Sequence, residues 1–185
     1  MTFQSEKQKT LIRKDKSRIG KIDEKIKPLL NKINNKKQFY TTSSCSGRIV
    51  LIKASDKKEN NLFLWVSHKK TNLKELKNQL DKTKNYKGLV YFKQEPVILH
   101  IACNSLEDAQ TLVDKAKFLG YKQSSIIASK KRIIIELRST EKIEIPITNR
   151  GKILVNDEFL KILVKESNKK LKRTWGKIKK LEKKI

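Results

Sequence analysis

The stretch PVILHIACNSLEDAQTLVDKAKFLGYKQSSIIASKKRIIIELRSTEKIEIPI, residues 96–147, decides the fold class. It opens on PVILHIAC, an apolar run of strand length rich in branched residues. The spacing turns helical over SLEDAQTLVDKAKFLG (105–120). Ser105 stands where an N-cap hydroxyl belongs, Asp108 follows three residues on, and Gly120 is a natural stop. Three strand-like runs come next with no helix among them: QSSIIAS, RIIIELR and KIEIPI. A doubly wound parallel sheet needs a helical crossover between successive strands. One helix followed by three strands argues instead for α+β with a largely antiparallel sheet.

Outward from this stretch the pattern continues. FYTTS, RIVLIK and LFLWVS read as strands, NLKELKNQLDKTK (72–84) as a helix with Leu73, Leu76 and Leu80 on one stripe, and LVYF as a strand. At the start, residues 3–14 form a short helix and 15–23 a connection with Gly20 as its turn residue. Ile22, Ile26, Leu29, Leu30 and Ile33 then recur at helical spacing, with Pro28 near a first turn or a kink. The last helix runs from about Asn156 to the end. Leu160, Leu163, Val164, Leu171, Trp175, Ile178 and Leu181 form its stripe, and lysine fills most of its other faces. The six glycines are scattered and make neither a GxGxxG nor a phosphate loop. The 185 residues read as one domain, 1–185, with helices packed on the sheet and basic helices at both ends.

The formal net charge of +26 calls for a polyanion, nucleic acid before an anionic membrane. Residues 1–38 hold 12 Lys/Arg against 4 Asp/Glu, and residues 161–185 hold 11 against 2. No apolar run approaches the roughly 20 residues of a membrane span, and the first residues lack a signal-peptide core. The expectation is a soluble cytoplasmic protein with no membrane and no obligate protein partner. Two cysteines cannot build a disulfide framework. Cys103 reads as a small buried hydrophobe.

TTSSCSGRI, residues 41–49, gathers small polar residues unmatched elsewhere in the chain. It lies between two strands, so one reading is a hairpin connection in which Gly47 takes a positive φ. The other is a binding loop: hydroxyls and amides around a glycine cradle an anion, and Arg48 adds a bidentate fork. Cys45 as a nucleophile would need a base beside it. A zinc set of Cys45, His68, His100 and Cys103 has permissible ligands but poor spacing, since His100 and Cys103 fall on opposite faces of a strand. Trp65 and His68 end the run FLWVSH. Glu95 and Pro96 interrupt two apolar runs within YFKQEPVILH. Asn168 falls on the apolar stripe of the last helix, either as a core amide with a backbone partner or as a ligand contact.

Taken in order, DKS (15–17), GKID (20–23), TTSSCSGRI (41–49), WVSH (65–68), KQEPVILH (93–100), GYKQSSI (120–126), LRST (137–140) and SNKKL (167–171) resemble one family over nearly the whole chain. It is the tRNA wybutosine-synthesising protein 3 family, in its compact archaeal-like form. The resemblance implies an α+β fold of the family's own. It implies transfer of a methyl group from S-adenosylmethionine to N4 of the wyosine-type tricyclic base beside the anticodon of phenylalanine tRNA, engaged through its anticodon arm. For the site it implies Ser43, Ser44, Cys45, Gly47, Arg48 and Glu95 on the cofactor, and His68, His100 and Ser46 in catalysis. Trp65 would stack on the base, with Asp15, Ser17, Arg138 and Asn168 also on the substrate, and no metal. Lysines of the terminal helices would hold phosphates. The competing reading from composition alone is a non-catalytic basic RNA-binding module.

Overall fold

The computed structural model describes residues 2–12, 22–55 and 61–185. Its elements are α1 (Phe3–Ile12), α2 (Lys27–Asn35), β1 (Phe39–Cys45), β2 (Arg48–Lys53), β3 (Phe63–Ser67), α3 (Leu73–Asp81), β4 (Leu89–Glu95), β5 (Ile98–Cys103), α4 (Leu106–Phe118), β6 (Ser125–Ala128), β7 (Ile133–Arg138), β8 (Ile143–Asn149), β9 (Lys152–Ile153) and α5 (Asp157–Lys184). The strands form two sheets, ordered β1-β5-β7-β6 and β3-β2-β4-β8-β9. Every described pairing is antiparallel, as the run of strands without crossovers requires. Of the expected connection at 15–23, residues 15–21 lie outside the described residues, and Asp15, Ser17 and Gly20 with them.

Two compact units divide the chain. One holds residues 1–46, 97–140 and 174–185, the other residues 47–96 and 141–173.

In the first unit the four-stranded sheet has one apolar face. Leu99 and Ile101 on β5 and Ile135 and Leu137 on β7 alternate onto it, as strand pleating demands. Ile26, Leu29, Leu30 and Ile33 of the α2 segment join this core with Leu112, Val113 and Ala116 of α4, and Ile178 and Leu181 of α5. Ile22 does not: it is 39% exposed, because it precedes the helix whose spacing placed it on the stripe. Pro28 lies in the first turn of α2, where a missing amide costs nothing. Ser105 caps α4 by accepting from Asp108 N at 3.0 Å.

In the second unit Ile49, Leu51, Val90, Phe92 and Gln94 are fully buried, with Leu76 and Leu80 of α3. Helix α3 ends at Asp81, short of Lys84, and Asn72 caps its start by accepting from Glu75 N at 2.8 Å. Arg150 and Gly151 turn β8 into β9 with φ of 49° and 77°. No side chain fits at Gly151, where a Cβ would sit 1.9 Å from Lys84 O.

Candidate functional site

TTSSCSGRI is not a hairpin. Its first half is the end of β1, which pairs with β5 from residue 98 onward, and its second half starts β2, which pairs with β3 and β4. The two strands belong to different sheets, so nearness in sequence gives no pairing here. Gly47 takes the left-handed φ of 93° expected of it, in the step from one strand to the next.

Within the first unit, a bulge between Thr41 and Ser43 sets the register. Thr41 lies opposite Ile101 on the core face. The extra residue at Thr42, whose hydroxyl donates to His100 O at 3.3 Å, brings Ser43 opposite His100 on the other face. His100 in turn pairs with Glu136 on β7, and Glu136 with Ser125 on β6. The result is a polar row, Ser43–His100–Glu136–Ser125, across the face opposite the core. His100 Nε2 and Glu136 Oε2 are 2.9 Å apart, with the side chains 32% and 25% exposed. An ionised carboxylate only accepts, so Nε2 carries the shared hydrogen and Nδ1 of the neutral ring keeps a lone pair. The adjoining row is Cys45, Ile98 and Arg138. Ser44 lies opposite Leu99, and Ser46 is buried with its hydroxyl donating to the Asp23 carboxylate. Asp23 also accepts from Lys25 N at 3.2 Å.

In the second unit, Arg48 and Glu95 stand opposite each other on β2 and β4. Arg48 Nε meets Glu95 Oε2 at 2.5 Å, and the guanidinium carbon lies 4.7 Å from the centre of the Phe63 ring. Beside them Glu144 is held by Lys142 and by Lys93, the latter at 2.5 Å. Their hydrogen bonds pull its carboxyl below the usual carboxylate range. Trp65 pairs with Leu51 on edge strand β3 and is half-buried, on the face that carries Phe92. His68 follows the end of β3, also half-buried. Asn168 takes the backbone partner: its Nδ2 donates to Thr71 O at 2.7 Å and its Oδ1 accepts from Thr71 N at 3.0 Å.

Several of the candidates therefore converge within each unit: Ser43, Cys45, His100 and Arg138 on one sheet face, Arg48 and Glu95 as a pair. The sequence reading missed Glu136, Asp23, Thr71 and Gln94. Glu136 carried a usable signal, since in RIIIELR it falls on the face opposite Ile135 and Leu137. Gln94 is fully buried, its Nε2 on Glu95 O at 2.9 Å and its Oε1 without a partner. Among the described residues no three His, Cys, Asp or Glu side chains are grouped to hold a metal, and no helix is long and apolar enough to cross a membrane.

The family model described as Methyltransferase TYW3 matches residues 4–185. The chain belongs to that family. Its relatives include a protein of Thermococcus sibiricus named tRNA(Phe) 7-((3-amino-3-carboxypropyl)-4-demethylwyosine(37)-N(4))-methyltransferase. That protein is 38% identical, over 90% of this chain and 85% of the relative. One of the same name from Methanocaldococcus jannaschii is 39% identical, over 94% and 91%. A tRNA wybutosine-synthesizing protein 3 homolog of Xenopus laevis is 37% identical, over 95% and 71%. A solved Pyrococcus horikoshii protein, 34% identical, superposes with a TM-score of 0.88 over 99% of this chain and 95% of its own. Family membership makes the chain a methyl-transferring enzyme of wybutosine-type tRNA modification.

Proposed function

We propose that this chain transfers a methyl group from S-adenosylmethionine to N4 of the wyosine-type base beside the anticodon of phenylalanine tRNA. The reading rests on the family match, which runs through both units and so favours one functional domain over 4–185. The base form is the one named for the archaeal relatives, 4-demethylwyosine bearing a 3-amino-3-carboxypropyl arm. A tRNA substrate fits the expected cytoplasmic location.

S-adenosylmethionine supplies an electrophilic methyl on a sulfonium, so the protein's task is alignment, exclusion of water and management of one proton. The residues suit such a donor. Gln94 is not among them: it lies on the buried Phe92 face of β4, opposite the face that carries Arg48 and Glu95. Ser43, Ser44, Cys45 and Gly47 supply small groups and backbone amides. Arg48 and Glu95, already paired, would present a fixed dipole to it, with Arg48 Nε committed to Glu95.

As the N4–C bond formed, the sulfonium S–C bond would break with its electron pair leaving on the thioether sulfur of S-adenosylhomocysteine, and N4 of the base would give up its hydrogen. His100 Nδ1 would take it, and the imidazolium produced would be stabilised by the Glu136 carboxylate at Nε2. Trp65, half-buried on an edge strand, offers a ring for stacking. Asn168 commits its amide to the Thr71 backbone and so braces the segment that follows His68. The exposed lysines of α5 would hold phosphates with strong salt dependence.

The test mixes purified protein, S-adenosylmethionine and phenylalanine tRNA carrying the unmethylated tricycle, then analyses nucleosides by mass spectrometry. A gain of one methyl on that base supports the reading. No gain on any tricyclic precursor, with tRNA still bound at low salt, leaves a binding protein.

A further inference from the structure

Arg138 differs from the other arginines whose partners are described. Arg48 sets its Nε on Glu95 at 2.5 Å and Arg132 sets its Nε on Glu6 at 3.0 Å. Arg138 Nε is buried and has no partner. An unmet buried donor on a charged group is costly, and a ligand that binds it removes the cost.

The position is also rigid. Arg138 N donates to Ser124 Oγ at 3.1 Å, and Arg138 O accepts from Gln123 N at 3.1 Å. Ser124 Oγ is itself fixed by donating to Tyr121 O at 2.6 Å. These bonds fix the main chain from which the guanidinium extends, and so the sheet face it leaves from. It points from the same sheet face as Glu136, two residues earlier on β7. Glu136 gives one oxygen to His100, and its other oxygen makes no hydrogen bond among the described residues. Residues two apart on a strand lie about 7 Å from each other. A planar donor fork and a carboxylate at that separation match the two ends of an α-amino acid, carboxylate on one and ammonium on the other.

We infer that Arg138 is the receptor for the carboxylate of an α-amino-acid group, with Glu136 facing its ammonium. The inference rests on the methyl-transfer reading above for its two sources of that group. One is the 3-amino-3-carboxypropyl arm of the base, and the other is the methionine end of the methyl donor.

The test compares wild type, Arg138→Gln and Arg138→Lys in three measurements. The first is affinity for phenylalanine tRNA with and without the aminocarboxypropyl arm, the second is affinity for S-adenosylhomocysteine by calorimetry, and the third is methyl transfer. If the arm is the ligand, wild type prefers the armed tRNA. R138Q then loses that preference by about 10- to 100-fold, with S-adenosylhomocysteine affinity unchanged. If the donor is the ligand, S-adenosylhomocysteine affinity falls by a similar factor and tRNA preference is unchanged. R138K, which keeps the charge and the fold but not the fork, falls between in either case. Equal weakening toward both tRNAs with donor affinity intact overturns the inference and assigns Arg138 to a phosphate. Unchanged binding throughout also overturns it. If R138Q loses either of these bindings while wild type transfers no methyl, the methyltransferase reading falls and the inference stands.

Discussion

His100 Nε2 on β5 lies 2.9 Å from the carboxylate of Glu136, its register partner on β7. A shared sheet row holds the imidazole and the carboxylate of this relay more firmly than a loop would. Replacing His100 by Gln keeps a polar side chain but removes the base. Methyl transfer then falls by about 10²- to 10⁴-fold in kcat, with tRNA affinity unchanged. Glu136→Gln still accepts from Nε2 but no longer supports an imidazolium. A neutral hydrogen bond is about half as strong as a charged one, so the loss is on the order of tenfold. Single-turnover rates at saturating tRNA read both. A full-rate H100Q enzyme would move the base to another residue.

Asn168 saturates its amide on both backbone groups of Thr71, which is 5% exposed. Thr71 lies three residues after His68 and just before α3. Asn168→Ala leaves a buried N–H and C=O unmet, so the variant loses about 1–3 kcal/mol of stability. Amide exchange speeds at Thr71 first. Urea titration and hydrogen exchange together check this. A destabilised protein with unchanged protection at Thr71 would refute the tie.

Arg48 and Glu95 form a cross-strand ion pair whose cation also lies over Phe63. Each side chain is mostly shielded, so removing one partner strands the other. Arg48→Ala and Glu95→Ala each destabilise, and the double variant costs less than the sum. The coupling is on the order of 1–3 kcal/mol. A double-mutant cycle by thermal or urea unfolding measures it, and strict additivity would show that solvent already screens the pair.

Local chemistry was legible where one residue decides one thing. Ser105 caps α4, Pro28 sits in the first turn of α2, and Leu76 and Leu80 bury one side of α3. The helices and the antiparallel class followed from periodicity. The partition into two sheets did not, because β1 finds β5 more than fifty residues away, and adjacency favoured a hairpin with β2. Pairing depends on contacts that no window around 41–49 contains. The same limit hid Glu136 and Thr71. Each reads as an ordinary polar residue until its partner, His100 or Asn168, is brought across from a distant element. Ser43 was picked for its neighbours in sequence, yet it faces His100 because of one extra residue, Thr42, in the strand before it.

Cys103 is buried in the apolar core of the first unit, and burial, with Asp108 nearby, pushes its thiol up to about 12. An unfolded thiol titrates near about 8.5. Between those values the unfolded chain has released a proton that the folded chain keeps. Stability therefore falls as pH rises through that window. The Tyr40 phenol, also raised by burial, begins to contribute only near pH 10, the ordinary value for a phenol. From about pH 8.5 to 10 the decline therefore belongs to Cys103, opposed by Lys7, whose ammonium is pushed by burial below its ordinary value so that its own contribution rises with pH. Cys103→Ala removes the titrating group and flattens the decline there, at a modest cost in stability at pH 7. Urea unfolding of both proteins at a series of pH values measures the slopes. The same burial predicts that a thiol reagent at pH 8 modifies half-buried Cys45 while Cys103 reacts only after unfolding. Equal slopes, or rapid labelling of Cys103 in the folded protein, would overturn this account of the core.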